Sequence, residues 1–182
     1  MINSAVQLGD NAKALFLCER NLPLARAVGD RTTEGCTLQT LAALRRGEGD
    51  AESGLRMYLE AHAIFKAIDQ VQPAGECIAK AAQCELQLGH GEAALLKVNE
   101  ALVALSGELA KIRPVFTIDM RWDCQQVLEV MSDARASGVL DQLHDDVQAD
   151  LATAKEPADR DRMLQGLPGH RAILDAHRRN KP

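Results

Sequence analysis

Aromatic side chains are scarce in this sequence: one Trp, one Tyr and three Phe make up 3% of its 182 residues. Strands draw heavily on aromatic and β-branched residues, so this poverty, with no long alternating stretch, excludes a sandwich or a barrel. Long apolar runs are missing too. No window approaches the roughly 18 apolar residues of a membrane span, and the opening MINSAVQLGD has neither the basic start nor the apolar run of a signal peptide. The expectation is a cytoplasmic protein with no membrane partner. Basic residues are not in excess, and the formal charge of −5 argues against a broad nucleic-acid footprint. The five cysteines (Cys18, Cys36, Cys77, Cys84, Cys124) are odd in number, contain no C-x-x-C and lie in apolar helical contexts, which predicts reduced core thiols. No phosphate loop, nucleophile elbow or supported pair of catalytic carboxylates is present, so neither an enzyme nor a cofactor site is expected.

What is abundant is helix-forming: alanine, leucine, glutamine, glutamate and arginine. A glycine recurs in QLGD at 7–10, GEGD at 47–50 and QLGHG at 87–91, that is at Gly9, Gly49 and Gly89. Sliding the chain forty places aligns Asp10 with Asp50, Leu15 with Leu55, Leu24 with Ile64, Gly35 with Gly75 and Ala42 with Ala82. A fixed period of this kind decides architecture before any local reading does. Inside each unit the apolar residues fall at helical spacing, as in Leu55, Tyr58, Leu59, Ala61, Phe65 and Ile68. The segments 28–35 and 68–75 are expected to join one helix to the next, with Pro73 near a helix start. Gly49 and Gly89 suit a left-handed residue after a last helical turn, and Asp50 suits an N-cap. Each unit is then two antiparallel helices of about 15 to 18 residues. A pair that cannot bury its own apolar face must stack on the next, which predicts an all-α superhelical solenoid of antiparallel helix hairpins.

The run TLAALRRGEGDAESGLRMYLEAHAIF carries Leu41 and Ala42, a turn at Gly49, small Gly54, and Ala61 with His62; KAAQCELQLGHGEAALLKVNEALVAL carries Ala81 and Ala82, Gly89, Ala94, and Ala101 with Leu102. This pattern resembles the tetratricopeptide repeats, in the longer variety found in bacterial signalling proteins. His62, Asn21 and Arg45 depart from it. The resemblance implies a concave groove lined by the first helix of each unit, with Cys36, Gln39, Ala43 and Arg46 facing it in one unit and Glu76, Ala79, Gln83 and Gln87 in the next. A protein or peptide partner follows from it. Further on, RWDCQQVLEV and DRDRMLQGLPGHRAIL resemble the end of helical regions attached to bacterial ATPase-type transcriptional activators and nucleotide cyclases, through Arg162, Leu164, Leu167, Pro168, His170, Arg171 and Ile173. That implies a scaffold or sensor module of a regulatory protein, whose partner could be upstream domains of the parent chain.

A single helical-repeat domain is expected over residues 1–182, regular over about 9–105 and divergent over about 114–180. In the divergent part Phe116, Met120, Val127, Leu128 and Met131 mark one helix, Val139, Leu143, Val147 and Leu151 its partner across 132–138, and His170 to Arg179 a terminal cap after a break at 166–169. Trp122 is expected in the core where the repeat gives way. Residues 1–8 read as the end of a first helix, which suggests a fragment and leaves a homodimer open. The stretch 133–161 holds eight acids against three bases and 162–182 five bases against Asp175, which predicts pairing within the chain. Asp119 and Asp123 share a helical face beside Arg113 and Arg121 and read as a solvated ion network. Among the histidines, His62 reads as partly buried and His90 as facing water. Adjacent His144, Asp145 and Asp146 cannot converge on one metal ion, and His170 and His177 lack an acidic partner one turn away. Two rivals to the binding module remain: a phosphatase-like effector using Gln39, Glu76 and Gln83, and nucleic-acid contact through Arg171, Arg178, Arg179 and Lys181.

Overall fold

The chain is described by a computed structural model over residues 10–111 and 114–180. The expected helix end at 1–8, together with Gly9, Arg113 and Lys181, lies outside the described residues. Nine helices occur among the described residues: α1 Asn11–Val28, α2 Arg31–Gly47, α3 Ala51–Ala67, α4 Val71–Gln87, α5 Gly91–Ser106, α6 Ile118–Val130, α7 Ala136–Leu151, α8 Pro157–Gly166 and α9 Pro168–Asn180. Two 3-10 turns, Glu108–Lys111 and Pro114–Thr117, join α5 to α6. No strand occurs among the described residues, and none of their helices is long and apolar enough to cross a membrane. The predicted solenoid of hairpins is therefore the observed architecture.

The joints are shorter than the sequence suggests. Residues 28–35 and 68–75 were expected as links, yet α2 begins at Arg31 and α4 at Val71, so Pro73 sits in a first helical turn. What stops α1 to α4 and α6 is one left-handed residue: Gly29 (φ 71°), Gly49 (φ 90°), Asp69 (φ 55°), Gly89 (φ 80°) and Ser132 (φ 53°). The next residue donates its N–H to the carbonyl five back, in Asp30 to Ala25, Asp50 to Arg45, Gln70 to Phe65, His90 to Glu85 and Asp133 to Leu128. Asp10, Asp30 and Asp50 then accept from the N–H groups of Lys13, Thr33 and Ser53, each satisfying an otherwise orphan donor at a helix start. Asp30 and Asp50 thus end one helix and start another.

The hairpins α2/α3, α4/α5 and α6/α7 stack in sequence order, with α3 on α4 and α4 on α6. Their seam is made of small side chains: Ala42, Ala61, Ala79, Ala82, Ala94 and Ala101 have no exposed surface. A Cβ on Gly54 would stand 3.2 Å from the Ala42 carbonyl and 3.4 Å from Cys84 Sγ, so two helix axes cross closely there. Gly35 lies under the Phe65 ring, where a Cβ would meet ring atoms at 2.8 Å. The departures from the repeat pattern carry polar staples. Asn21 Nδ2 donates to Thr37 Oγ1 at 3.0 Å, and Arg45 reaches Glu19 on α1 at 3.1 Å. Glu85 is buried between α4 and α5, held by Lys97 at 2.8 Å and His90 at 2.9 Å.

The second core joins α6, α7 and α9 through Ile118, Leu140, Leu143, Val147, Leu151 and Ile173, with Trp122 half-buried against it. Phe116 departs from expectation: it lies in a 3-10 turn and is 58% exposed. The joint between α6 and α7 covers 131–135, and α8 and α9 are separated by Leu167 alone.

Gly35→Ala is expected to destabilise by about 1–3 kcal/mol, because the rigid Phe65 ring must move aside. In a urea-denaturation cycle with Phe65→Leu, the added methyl should cost less in the smaller-side-chain background. Burial pushes the Glu85 carboxyl up, but hydrogen bonds from Lys97 and His90 outweigh it and hold the group below its ordinary value of 4.5. Its contribution is complete above that pH and is lost as pH falls through the lower folded value. Glu85→Gln should therefore cost about 1–2 kcal/mol at pH 7 and progressively less below pH 4.5, read by denaturation midpoints across pH.

Candidate partner-binding face

The first helices of the hairpins, α2, α4 and α6, lie side by side, and polar side chains cross between them. Gln39 Nε2 approaches Glu76 Oε2 at 3.4 Å, while Gln72 donates to Glu76 Oε1 at 3.2 Å and to the Phe116 carbonyl at 3.1 Å. Lys80 Nζ meets Asp123 Oδ2 at 2.9 Å. Gln83 Nε2 donates to the Asp123 carbonyl at 2.7 Å and to Gln126 Oε1 at 3.0 Å. A ladder of contacts therefore runs across the three helices.

The eight positions implied by the repeat pattern divide into three groups. Cys36, Ala43 and Gln87 are exposed, and Arg46 is half-buried, its side chain in no hydrogen bond or ion pair among the described residues. Gln39, Glu76 and Gln83 are half-buried and already engaged in the ladder. Ala79 has no exposed surface, so its methyl serves helix packing and cannot touch a partner. Lys80 and Gln126 were missed in the sequence, and Asp123 was read only with its own helix, because the residues that pair stand forty-three positions apart on different helices.

The core-thiol expectation holds for four cysteines and fails for Cys36, which is exposed. Burial pushes the Cys77 and Cys124 thiols up to about 12 and Cys84 up to about 11. Cys36 is raised as well, by local crowding and by the charges of Asp30 and Glu76. None is poised as a thiolate nucleophile. Among the described residues no group of three or more His, Cys, Asp or Glu is placed to hold a metal ion.

The expected Asp119, Asp123 and Arg121 network is split in the structure. Asp123 pairs with Lys80, and Arg121 crosses to Asp146 on α7 at 2.6 Å. The acid-to-base pairing at the C-terminus runs through histidines. His170 meets Asp150 at 3.2 Å, His177 meets Asp141 at 3.1 Å, and the His177 ring stacks on His144 at 3.8 Å. Both α9 histidines have acidic partners, supplied by α7 and invisible to a search within their own helix. Arg178 pairs with Asp175 of its own helix. His90 is mostly exposed yet bonds Glu85. His62 is half-buried, its Nδ1 at 2.9 Å from the Ala74 carbonyl and its Nε2 at 3.2 Å from Glu100.

Two crystal structures described as a putative kinesin light chain with nearly identical TPR-like repeats, from Podosopora anserina, resemble this chain in fold. Their TM-scores are 0.62 and 0.61 at 14% and 13% identity; the alignments cover 97% and 98% of this chain and 89% and 94% of theirs. At that identity the likeness shows a tetratricopeptide-like fold. No family model and no curated protein matches the sequence, so the narrower resemblance to bacterial activators and cyclases has no counterpart among them.

Burial works against the Lys80 ammonium, and Asp123 more than offsets it, holding its pKa above the ordinary 10.5. The pair therefore stabilises fully below pH 10.5, and its contribution fades as pH rises through the higher folded value. Asp123→Asn leaves a half-buried ammonium without its carboxylate and is expected to cost about 1–3 kcal/mol at neutral pH. The gap from wild type should narrow above pH 10.5 in a urea titration.

Proposed function

We propose that this chain is a protein-protein interaction module that holds a peptide or protein segment against the face formed by α2, α4 and α6. The observation that carries this reading is the contrast along that face. Most polar groups there are paired, while the Arg46 side chain has no hydrogen-bond or ion-pair partner among the described residues and Cys36, Ala43 and Gln87 stay exposed on the same face. A segment with small or apolar residues and one acid suits such a surface. Its acid would meet Arg46, and its backbone would exchange hydrogen bonds with Gln87 and Gln39.

A role as scaffold or sensor arm of a regulatory protein rests on the sequence resemblance alone, and its partner would then be a domain of the parent chain. The phosphatase-like alternative is weakened by what its candidates do: Gln39, Glu76 and Gln83 are bonded to one another or to α6 and leave no free base beside a nucleophile. Nucleic-acid contact has only Arg171, Arg178 and Arg179 among the described residues, and Arg178 is paired with Asp175.

Selection of peptides from a displayed random library on the folded chain gives a direct test. The winning sequences should share an acidic residue, and Arg46→Glu should weaken them about tenfold or more, since a buried charge contact is replaced by repulsion. Ligands indifferent to Arg46→Glu, with amide shifts confined to α3 and α5, would place the binding face elsewhere.

A further inference from the structure

Away from the concave face, α1 leaves exposed a side that the matching residues of α3 keep buried. Lys13, Leu17, Arg20, Leu24 and Val28 follow one another at three- and four-residue steps and form one stripe along the helix. Leu24 is 64% exposed and Val28 79%, and Phe16 lies exposed beside them under the Arg20 guanidinium. Arg26 is two residues from Leu24, roughly 200° around the helix. The side of α1 that reaches α2 and α3 through Arg26 is therefore opposite this stripe.

Forty positions on, the same stripe of α3 contains Met57, Glu60, Ile64 and Ile68. Its three apolar members pack into or against the core of the stack, Ile64 being only 3% exposed, and Glu60 receives Arg26 of α1 at 2.5 Å. On α5, Glu100 stands in the place of Glu60 and receives Lys66 of α3, the counterpart of Arg26, at 3.7 Å. At both junctions the earlier helix hands a base to an acid on the later one. On α1 the sign is inverted, because Arg20 stands where α3 has Glu60 and α5 has Glu100. Neither Arg20 nor Lys13 has an ion-pair partner among the described residues, and neighbouring Glu19 is tied to Arg45 of α2.

We infer that this stripe is the seat of an acidic amphipathic helix from a partner protein, whose apolar side chains cover Leu17, Leu24 and Val28 and whose carboxylate meets Arg20. The helix lies on α1 as α1 lies on α3, with the charges of the junction reversed. The stretch before Asp10, MINSAVQLG, holds no Asp or Glu and cannot supply that carboxylate. A second copy offering its own α1 about a two-fold axis would set Lys13 and Arg20 against the same two cations.

The probe is a stapled helical peptide of about 16 residues with leucines along one face and glutamates flanking them, the staple being needed because isolated helices of that length are marginal in water. Its control is the same peptide with lysine for each glutamate. Titrated into the isotopically labelled full chain, the glutamate peptide should bind about tenfold more tightly than the control, with amide shifts centred on Leu17, Arg20, Leu24 and Val28. Arg20→Glu should abolish the preference, Leu24→Ser should weaken both peptides, and Arg46→Glu on the concave face should change neither. Arg20 and Leu24 are exposed, so both variants should keep the wild-type helicity. Equal affinity of the two peptides, shifts centred on α2, α4 and α6, or a glutamate preference that survives Arg20→Glu or is lost with Arg46→Glu overturns the assignment. So does a dimer in sedimentation that Leu24→Ser dissolves, which gives the stripe to a second copy, or shifts of these amides by phosphatidylserine vesicles and by neither peptide, which gives it to a membrane.

Discussion

Each helix from α1 to α4, and again α6, is closed by a residue in the left-handed region whose successor returns its N–H to the carbonyl five residues back. This backbone constraint sets the rest. It stops α2, α3 and α4 at the same length of 17 residues, reverses the chain within three residues, and aims the next helix back along the last. With α2, α3 and α4 equal in length and the turns at Gly29, Gly49, Asp69 and Gly89 built alike, the hairpins there present similar apolar faces, and stacking buries them. Asp30 and Asp50 couple the two ends of the constraint, because the residue that closes one helix through its N–H opens the next through its carboxylate.

Two kinds of contact then hold the stack. On the inner seam, alanine and glycine let the helix axes approach, so cohesion comes from many close backbone and methyl contacts and little from large side chains. The few aromatics are spent accordingly. Tyr58 and Phe65, both on α3, are fully buried, and Phe65 closes over Gly35 where a Cβ has no room. Elsewhere the helices are tied by polar side chains reaching across: Asn21 to Thr37, Lys80 to Asp123, Lys97 to Glu85. Glu85 is buried and Lys80 and Asp123 largely so, so removing one member leaves its partner uncompensated, and the ties fix the register of one helix against another.

Much of this fold was legible because its rules are local. Gly49 and Gly89 announce left-handed turns, Asp50 announces a cap, and Gly54, Ala42, Ala82 and Ala94 announce close crossings, each from its own chemistry. The spacing of twenty residues between the turns at 29, 49, 69 and 89 stayed hidden because Asp69 does a glycine's work at one of them. The site was less legible. Whether Ala79 faces a groove or a neighbour depends on how near α6 packs, and nothing within α4 says so. The aspartate partners of His170 and His177 come from α7, twenty and thirty-six residues away, and a search one turn up and down the same helix cannot see them.

The ladder across α2, α4 and α6 also limits what the face can offer. A partner that took Gln83 or Lys80 would have to replace hydrogen bonds to Gln126 and Asp123, so the gain would be the small difference between old and new contacts. Groups without such partners carry no such loss. Arg46 in the last turn of α2 and Gln87 at the end of α4 stand at the same end of neighbouring parallel helices, so the free polar capacity of the face is gathered at one edge. Exposed Ala43 lies one turn below Arg46 on α2 and supplies apolar surface without a side chain to reorder. The ladder therefore acts as a rigid backing whose energy is already committed, and under the proposed function discrimination between partners would fall to the edge left unpaired among the described residues.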